Sequence, residues 1–170
     1  IDLRQQNEIL GLLRELKEVD VRWDFDVLRA RAEIAAADQP APDRARAAGK
    51  ALENLRAAVQ RTPSAALSAG LPALATAIEQ KTALVTKFRA ENGAAQKALR
   101  EVLSGAAEMS AQAAASKSRP AAFDQALNTL TATAPLYYWL AQENQRASLE
   151  AATAPLHAVP DSLREHAAKL

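Results

Sequence analysis

From Ile9 onward the apolar positions return in alternating steps of four and three: Ile9, Leu13, Leu16, then Asp20, Trp23, Val27, Ala30 and Ile34. Such spacing puts one stripe of side chains along an amphipathic helix, and it predicts a first helix from Ile1 to about Ala36, interrupted in its seam only by Asp20. The stretch Asp38-Gln-Pro-Ala-Pro42 ends that helix, because proline cannot continue the backbone hydrogen bonding. Asp43 then caps a second helix running to about Arg61, with Leu52, Leu55 and Val59 on its buried face. Ser64 caps a short helical turn, and Gly70 and Pro72 mark the opening of a third, longer helix. There Leu74, Ile78, Lys81, Val85, Phe88, Asn92, Ala95, Leu99, Val102, Ala106 and Met109 keep the same spacing to about Ala115, with Lys81 and Asn92 as polar exceptions.

After a break at Ser116 to Pro120, a shorter helix carries Phe123, Leu127 and Leu130, and Pro135 opens another containing Leu136 to Leu140 and Leu149. Pro155 and Pro160 set off a last helix at Ser162 to Leu170. At 1.5 Å per residue the first and third helices would be roughly 54 and 65 Å long, too long for a single bundle with the shorter ones. The expected fold is therefore all-α, with two stacked helical bundles sharing two long antiparallel helices. The upper bundle would hold about residues 18–93, and the lower one about residues 1–17 together with 94–170. Both chain ends would then leave from one pole, as suits insertion between two membrane spans.

Composition supports helices and removes several function classes. Ala, Leu, Arg, Glu and Gln dominate, and only 5 glycines occur. The 21 basic and 20 acidic residues are interspersed along the chain, so no electrostatic footprint for nucleic acid is expected. There is no cysteine, hence neither a disulfide nor a thiolate metal site, and no run of about 18 apolar residues that would span a membrane. His157 and His166 stand apart without helically spaced co-ligands, and no phosphate loop or nucleophile motif is present. The expectation is a domain that is not an enzyme and has no metal and no cofactor. Ile1 enters directly into the helical pattern and Leu170 follows no stop signal, which suggests a piece of a longer chain.

The informative residues are polar groups inside apolar seams, since a buried charge is costly unless something pairs with it. Asp20, Lys81 and Asn92 meet that description, and Asp24 and Arg31 lie on the same face of the first helix as Asp20. If the first and third helices run antiparallel, Asp20 and Asp24 fall near Val85 to Asn92, and Arg31 falls nearer Ile78 and Lys81. Two readings stand side by side: Asp20 and Lys81 pair to set the register of the seam, or these groups line a cavity walled by Trp23, Phe25 and Phe88 for a small polar or zwitterionic molecule. A second candidate pocket lies at Tyr137, Tyr138 and Trp139, three successive aromatics about 100° apart, of which no more than two can face the core.

Two stretches carry a resemblance to a known family. Trp23-Asp-Phe-Asp-Val-Leu-Arg-Ala-Arg31 resembles the first-helix pattern, and Lys87-Phe-Arg-Ala-Glu-Asn-Gly93 the third-helix pattern, of the double all-helical ligand-binding (DAHL) domain of bacterial sensor histidine kinases and related receptors. The helix order and the spacing between the stretches also fit. The resemblance implies one sensory domain over residues 1–170, periplasmic in an inner-membrane protein, joined to the membrane only through flanking spans, with a kinase or other output module behind the second. Its expected partner is a small-molecule ligand, with homodimerisation in the full-length receptor. Two alternatives remain: a helical interaction module that binds a periplasmic partner protein or mediates dimerisation, and a plain helical spacer.

Overall fold

The computed structural model describes residues 3–32, 43–62, 64–114 and 120–157. Among them the fold is all-α, as expected, with α1 (Leu3–Ala32), α2 (Arg44–Gln60), α3 (Ala65–Ala114), α4 (Ala121–Leu140) and α5 (Glu143–His157) and no strand. The expected helix at Ser162 to Leu170 lies outside the described residues. The chain divides into two compact units, Ile1–Asn92 and Gly93–Leu170.

The first unit is built from α1, α2 and the first part of α3. The side chain of Asp43 accepts a hydrogen bond from the Arg46 N–H at 2.9 Å, satisfying one of the orphan donors at the start of α2. Along α2, Ala48, Ala51, Leu52, Leu55, Ala58 and Val59 are buried at helical spacing. On α1 the buried residues Ile9, Leu16 and Trp23 stand one heptad apart. Half-buried Leu12, Val19 and Val27 complete the face that packs on the other helices. Leu13, expected in the seam, sits at its edge and is 38% exposed.

Ion pairs fix the helix directions. Asp26 pairs with Arg44 at 2.7 Å and Glu8 with Arg61 at 2.5 Å, so α2 runs antiparallel to α1. Between α1 and α3 the partners keep a nearly constant offset: 61 residues for Asp20 with Lys81, 61 for Arg31 with Asn92, and 62 for Ala30 with Asn92. A constant difference in residue number means that α1 and α3 are parallel, which corrects the expected antiparallel pair. The cause is the return path: α2, at 17 residues, spans about 25 Å and carries the chain back along most of α1 before α3 begins. Two reversals restore the original direction. The same return brings the early part of α1 into this unit, where Ile9 and Leu12 pack with Leu55, Ala58, Val59, Leu67 and Leu71, rather than with the C-terminal half where residues 1–17 were expected.

Three prolines read as helix boundaries lie inside helices instead: Pro72 in α3, Pro135 in α4 and Pro155 in α5. Ser64 caps α3 itself, its carbonyl accepting from Ser68 N–H at 3.1 Å and its hydroxyl from Leu67 N–H at 3.4 Å. In the second unit the core joins Ala106, Met109 and Ala113 of α3 to Phe123, Ala126, Leu127 and Leu130 of α4 and to Ala152 and Leu156 of α5. The reversal between α4 and α5 falls at Ala141, whose φ of 49° is left-handed and whose N–H returns to the Tyr137 carbonyl at 2.8 Å.

Candidate functional site

Where α1 and α3 run side by side, the first unit opens into a cleft of about 380 Å³. Leu13, Leu16 and Trp23 of α1 and Leu74, Ala77 and Ile78 of α3 form its walls, and Ala48 of α2 contributes from the third helix. Alanine at positions 48 and 77 leaves room that a larger side chain would fill. The charged lining residues are Lys17, Asp20 and Lys81.

Lys81 reaches across from α3 to α1. Its ammonium pairs with Asp20 Oδ1 and with Asp24 Oδ1 at 2.7 Å, and donates to the Asp20 carbonyl at 3.3 Å. Three acceptors match the three protons of an ammonium group. The same nitrogen lies 5.6 Å from the centroid of the Trp23 ring, a cation–π contact. Partial burial lowers the Lys81 pKa, while hydrogen bonds and charge attraction from Asp20 and Asp24 together outweigh burial and raise it above the ordinary lysine value. Both carboxylate side chains remain more than half exposed, at 54% and 63%. Lys17 is exposed and has no ion-pair partner among the described residues.

A smaller cleft of about 170 Å³ also borders Trp23 and is lined by Asp43, Arg44, Ala45, Thr82, Val85, Thr86 and Arg89. Trp23, 4% exposed, thus contributes to two cavities at once.

Of the eight residues first singled out, Asp20, Trp23 and Lys81 meet at the main cleft, and Asp24 joins them through Lys81. The others lie elsewhere. Arg31 donates to Asn92 Oδ1 at 3.2 Å and Asn92 Nδ2 donates to the Ala30 carbonyl at 3.0 Å, so this buried amide ties the later part of α1 to α3, eleven residues or about 16 Å beyond Lys81. Phe25 is 68% exposed and Phe88 half-buried, and neither lines the cleft. The expected antiparallel arrangement had placed Arg31 near Lys81, and the parallel one separates them.

Sequence reasoning missed Leu13, Leu16, Lys17, Ala48, Leu74, Ala77 and Ile78 as lining. Lys17 alone left a signal, a cation one turn before Asp20. In the second unit, Tyr138 is buried and its hydroxyl accepts from the buried Gln96 Nε2 at 3.2 Å. Trp139 packs edge-on against Tyr138, with ring centroids 5.5 Å apart, and is 46% exposed beside exposed Leu136 and Leu140. Tyr137 is half-buried. Tyr138 therefore packs into the unit while Trp139 faces outward.

An all-α unit with an apolar cleft beneath a bracketed lysine is what this part of the chain presents, and the family model for the DAHL domain matches residues 1–170, the whole chain. The chain belongs to the DAHL domain family. DAHL domains are a family of sensory domains, consistent with ligand sensing. No curated protein and no solved structure matches this DAHL domain. No helix among the described residues is long and apolar enough to cross a membrane, and no group of three or more His, Cys, Asp or Glu among them is placed to hold a metal ion.

Proposed function

We propose that this chain is the extracytoplasmic ligand-sensing domain of a transmembrane signalling receptor, with a histidine kinase as its output, and that it binds a small molecule in the α1–α3 cleft without altering it chemically. The observation that carries this reading is the cleft, with Trp23 among its walls and three charged side chains in its lining. Its volume lies in the range of small-molecule sites, and its lining combines a mostly apolar surface with a few polar groups, as such sites do. Membership in a sensory family supports perception over catalysis. Because the cleft lies between two helices of the bundle, an occupant contacts both and favours whichever of their arrangements it fits better. A periplasmic position in an inner-membrane protein follows from this role.

Trp23 makes the test direct. In a Trp139→Phe variant it is the sole tryptophan, so its emission reports the cleft. A screen of small metabolites should yield compounds that shift both this emission and the melting temperature, a ligand at ~100-fold its dissociation constant adding ~2.7 kcal/mol. Ala77→Leu, which fills the cleft, should abolish both shifts while the helical circular dichroism persists. Unchanged ligand responses in the filled variant would refute the assignment.

A second reading, self-association through α1, has its own observation. Leu3, Leu10, Val21, Phe25 and Leu28 are exposed, between 44% and 74%, and at 100° per residue they fall within an arc of about 60° turned away from the buried face. Sedimentation equilibrium of the wild type beside Phe25→Glu and Leu28→Glu tests it. A wild-type monomer at high micromolar concentration would end it for the isolated domain.

A further inference from the structure

We infer that the occupant of the cleft is a hydrophobic zwitterion, an apolar body bearing an ammonium and a carboxylate on neighbouring atoms, as in a branched-chain or aromatic amino acid. This rests on the assignment of the α1–α3 cleft as the ligand site and adds the chemistry of the ligand.

The walls settle the body. Seven of the ten lining residues are apolar, so a wholly polar molecule would give up water for surfaces that offer it no hydrogen bonds. A volume of about 380 Å³ suits a small branched or aromatic group.

The charged groups settle the head. Lys81 counts for less than its position suggests, because its three protons are already directed at Asp20 Oδ1, Asp24 Oδ1 and the Asp20 carbonyl. It holds the carboxylates in place and has no proton left to give, so Lys81 is a positioning residue. Lys17 is different: it lines the cleft, is exposed, and has no partner among the described residues. Asp20, one turn further along α1, engages Lys81 through one oxygen and keeps its side chain 54% exposed. One unspent cation and one accessible carboxylate thus stand three residues apart on a helix face, where Cβ atoms are about 5–6 Å apart.

A plain carboxylate would meet Lys17 but also the negative field of Asp20 and Asp24. A plain amine would meet Asp20 but also Lys17 and Lys81. Only a head with both charges finds a complement for each, its carboxylate on Lys17 and its ammonium on Asp20, with the apolar group directed at Trp23, Leu74 and Ile78.

A matched set of probes tests this on the full chain carrying Trp139→Phe, read by Trp23 emission and by melting. The set is leucine and phenylalanine, 4-methylpentanoate without the ammonium, 3-methylbutylamine without the carboxylate, and 4-methylpentan-1-ol with neither. Leucine or phenylalanine should bind about tenfold or more tightly than any single-charge or neutral analogue. Lys17→Met, at an exposed position, should remove that advantage for the amino acid while leaving the amine's affinity equal or higher. If 4-methylpentanoate, the amine or the alcohol binds as tightly as leucine, the zwitterion inference falls and the cleft assignment stands. Binding of the amino acid that is indifferent to Lys17→Met also overturns the inference. If no probe moves Trp23 emission, the inference falls, and the cleft assignment falls with it only if the metabolite screen is equally silent.

Discussion

Replacing Trp23 by alanine isolates the contribution of a side chain that lines two cavities of the first unit. A buried tryptophan removes about 150–250 Å² from water, and at ~25 cal/mol per Å² this corresponds to about 4–6 kcal/mol. A compact unfolded state already hides some of that surface, which lowers the figure to about 3–5 kcal/mol. Deletions in a sealed core carry a further cavity cost of ~24 cal/mol per Å³. Here the vacated space joins a cleft of about 380 Å³, so water and neighbouring side chains moderate that cost. The expected loss for Trp23→Ala is therefore about 3–4 kcal/mol, measured by urea denaturation followed by far-ultraviolet circular dichroism. Trp139→Ala, which removes a half-exposed ring, serves as the comparison and should cost about 1 kcal/mol or less. A loss below about 1 kcal/mol for Trp23→Ala would refute the packing argument, since no buried indole leaves a core that cheaply.

Asp24→Ala should cost no more than about 1 kcal/mol in the same denaturation assay, because this carboxylate is 63% exposed and Lys81 keeps Asp20. Asn92→Leu should cost about 1–3 kcal/mol, because it strips the Arg31 guanidinium and the Ala30 carbonyl of a buried partner. Ala141→Gly should raise stability by about 1 kcal/mol by relieving a left-handed residue, and unchanged melting would contradict that geometry. Folding raises the Lys81 pKa, so its charge contributes fully below the ordinary lysine value and is lost as pH rises through the higher folded value. The stability difference between wild type and Lys81→Met should accordingly be flat near neutrality and shrink above about pH 10.4, as denaturation across an alkaline series would show.

Helix existence was legible wherever a local rule decided it. Asp43 stands where a cap is needed, and Ile9, Leu16 and Trp23 repeat at the interval that buries one face. The prolines misled because a local penalty met a tertiary gain. An internal proline costs about 3 kcal/mol, but continuing α4 through Pro135 buries Ala134 and Tyr138 on either side of it. The second helix, already expected between two turns, sets α3 parallel to α1, but the seam pattern alone reads the same in parallel and antiparallel pairs. That ambiguity sent Arg31 to Lys81 on paper and to Asn92 in the structure. The polar interruptions of the seam did lead to Asp20 and Lys81, because a charge among leucines is conspicuous. Ala48, Leu74 and Ile78 gave no such sign, being ordinary core residues until three helices arrange them around a gap.

The constant offset along α1 and α3 works as a combination lock. Lys81 fits where two carboxylates one turn apart bracket it, and Asn92 fits where a carbonyl and a guanidinium meet it. Sliding α1 by one turn, about 5.4 Å, would leave Lys81 with a carboxylate on one side and with Leu16 or Leu28 in place of the other. The amide of Asn92 would lose its partners in the same step. Both wards of the lock must be met together, so this pair of helices resists a piston-like stroke. What it permits is tilt or slight rotation about a fixed register, the kind of motion that widens or narrows a cleft between them.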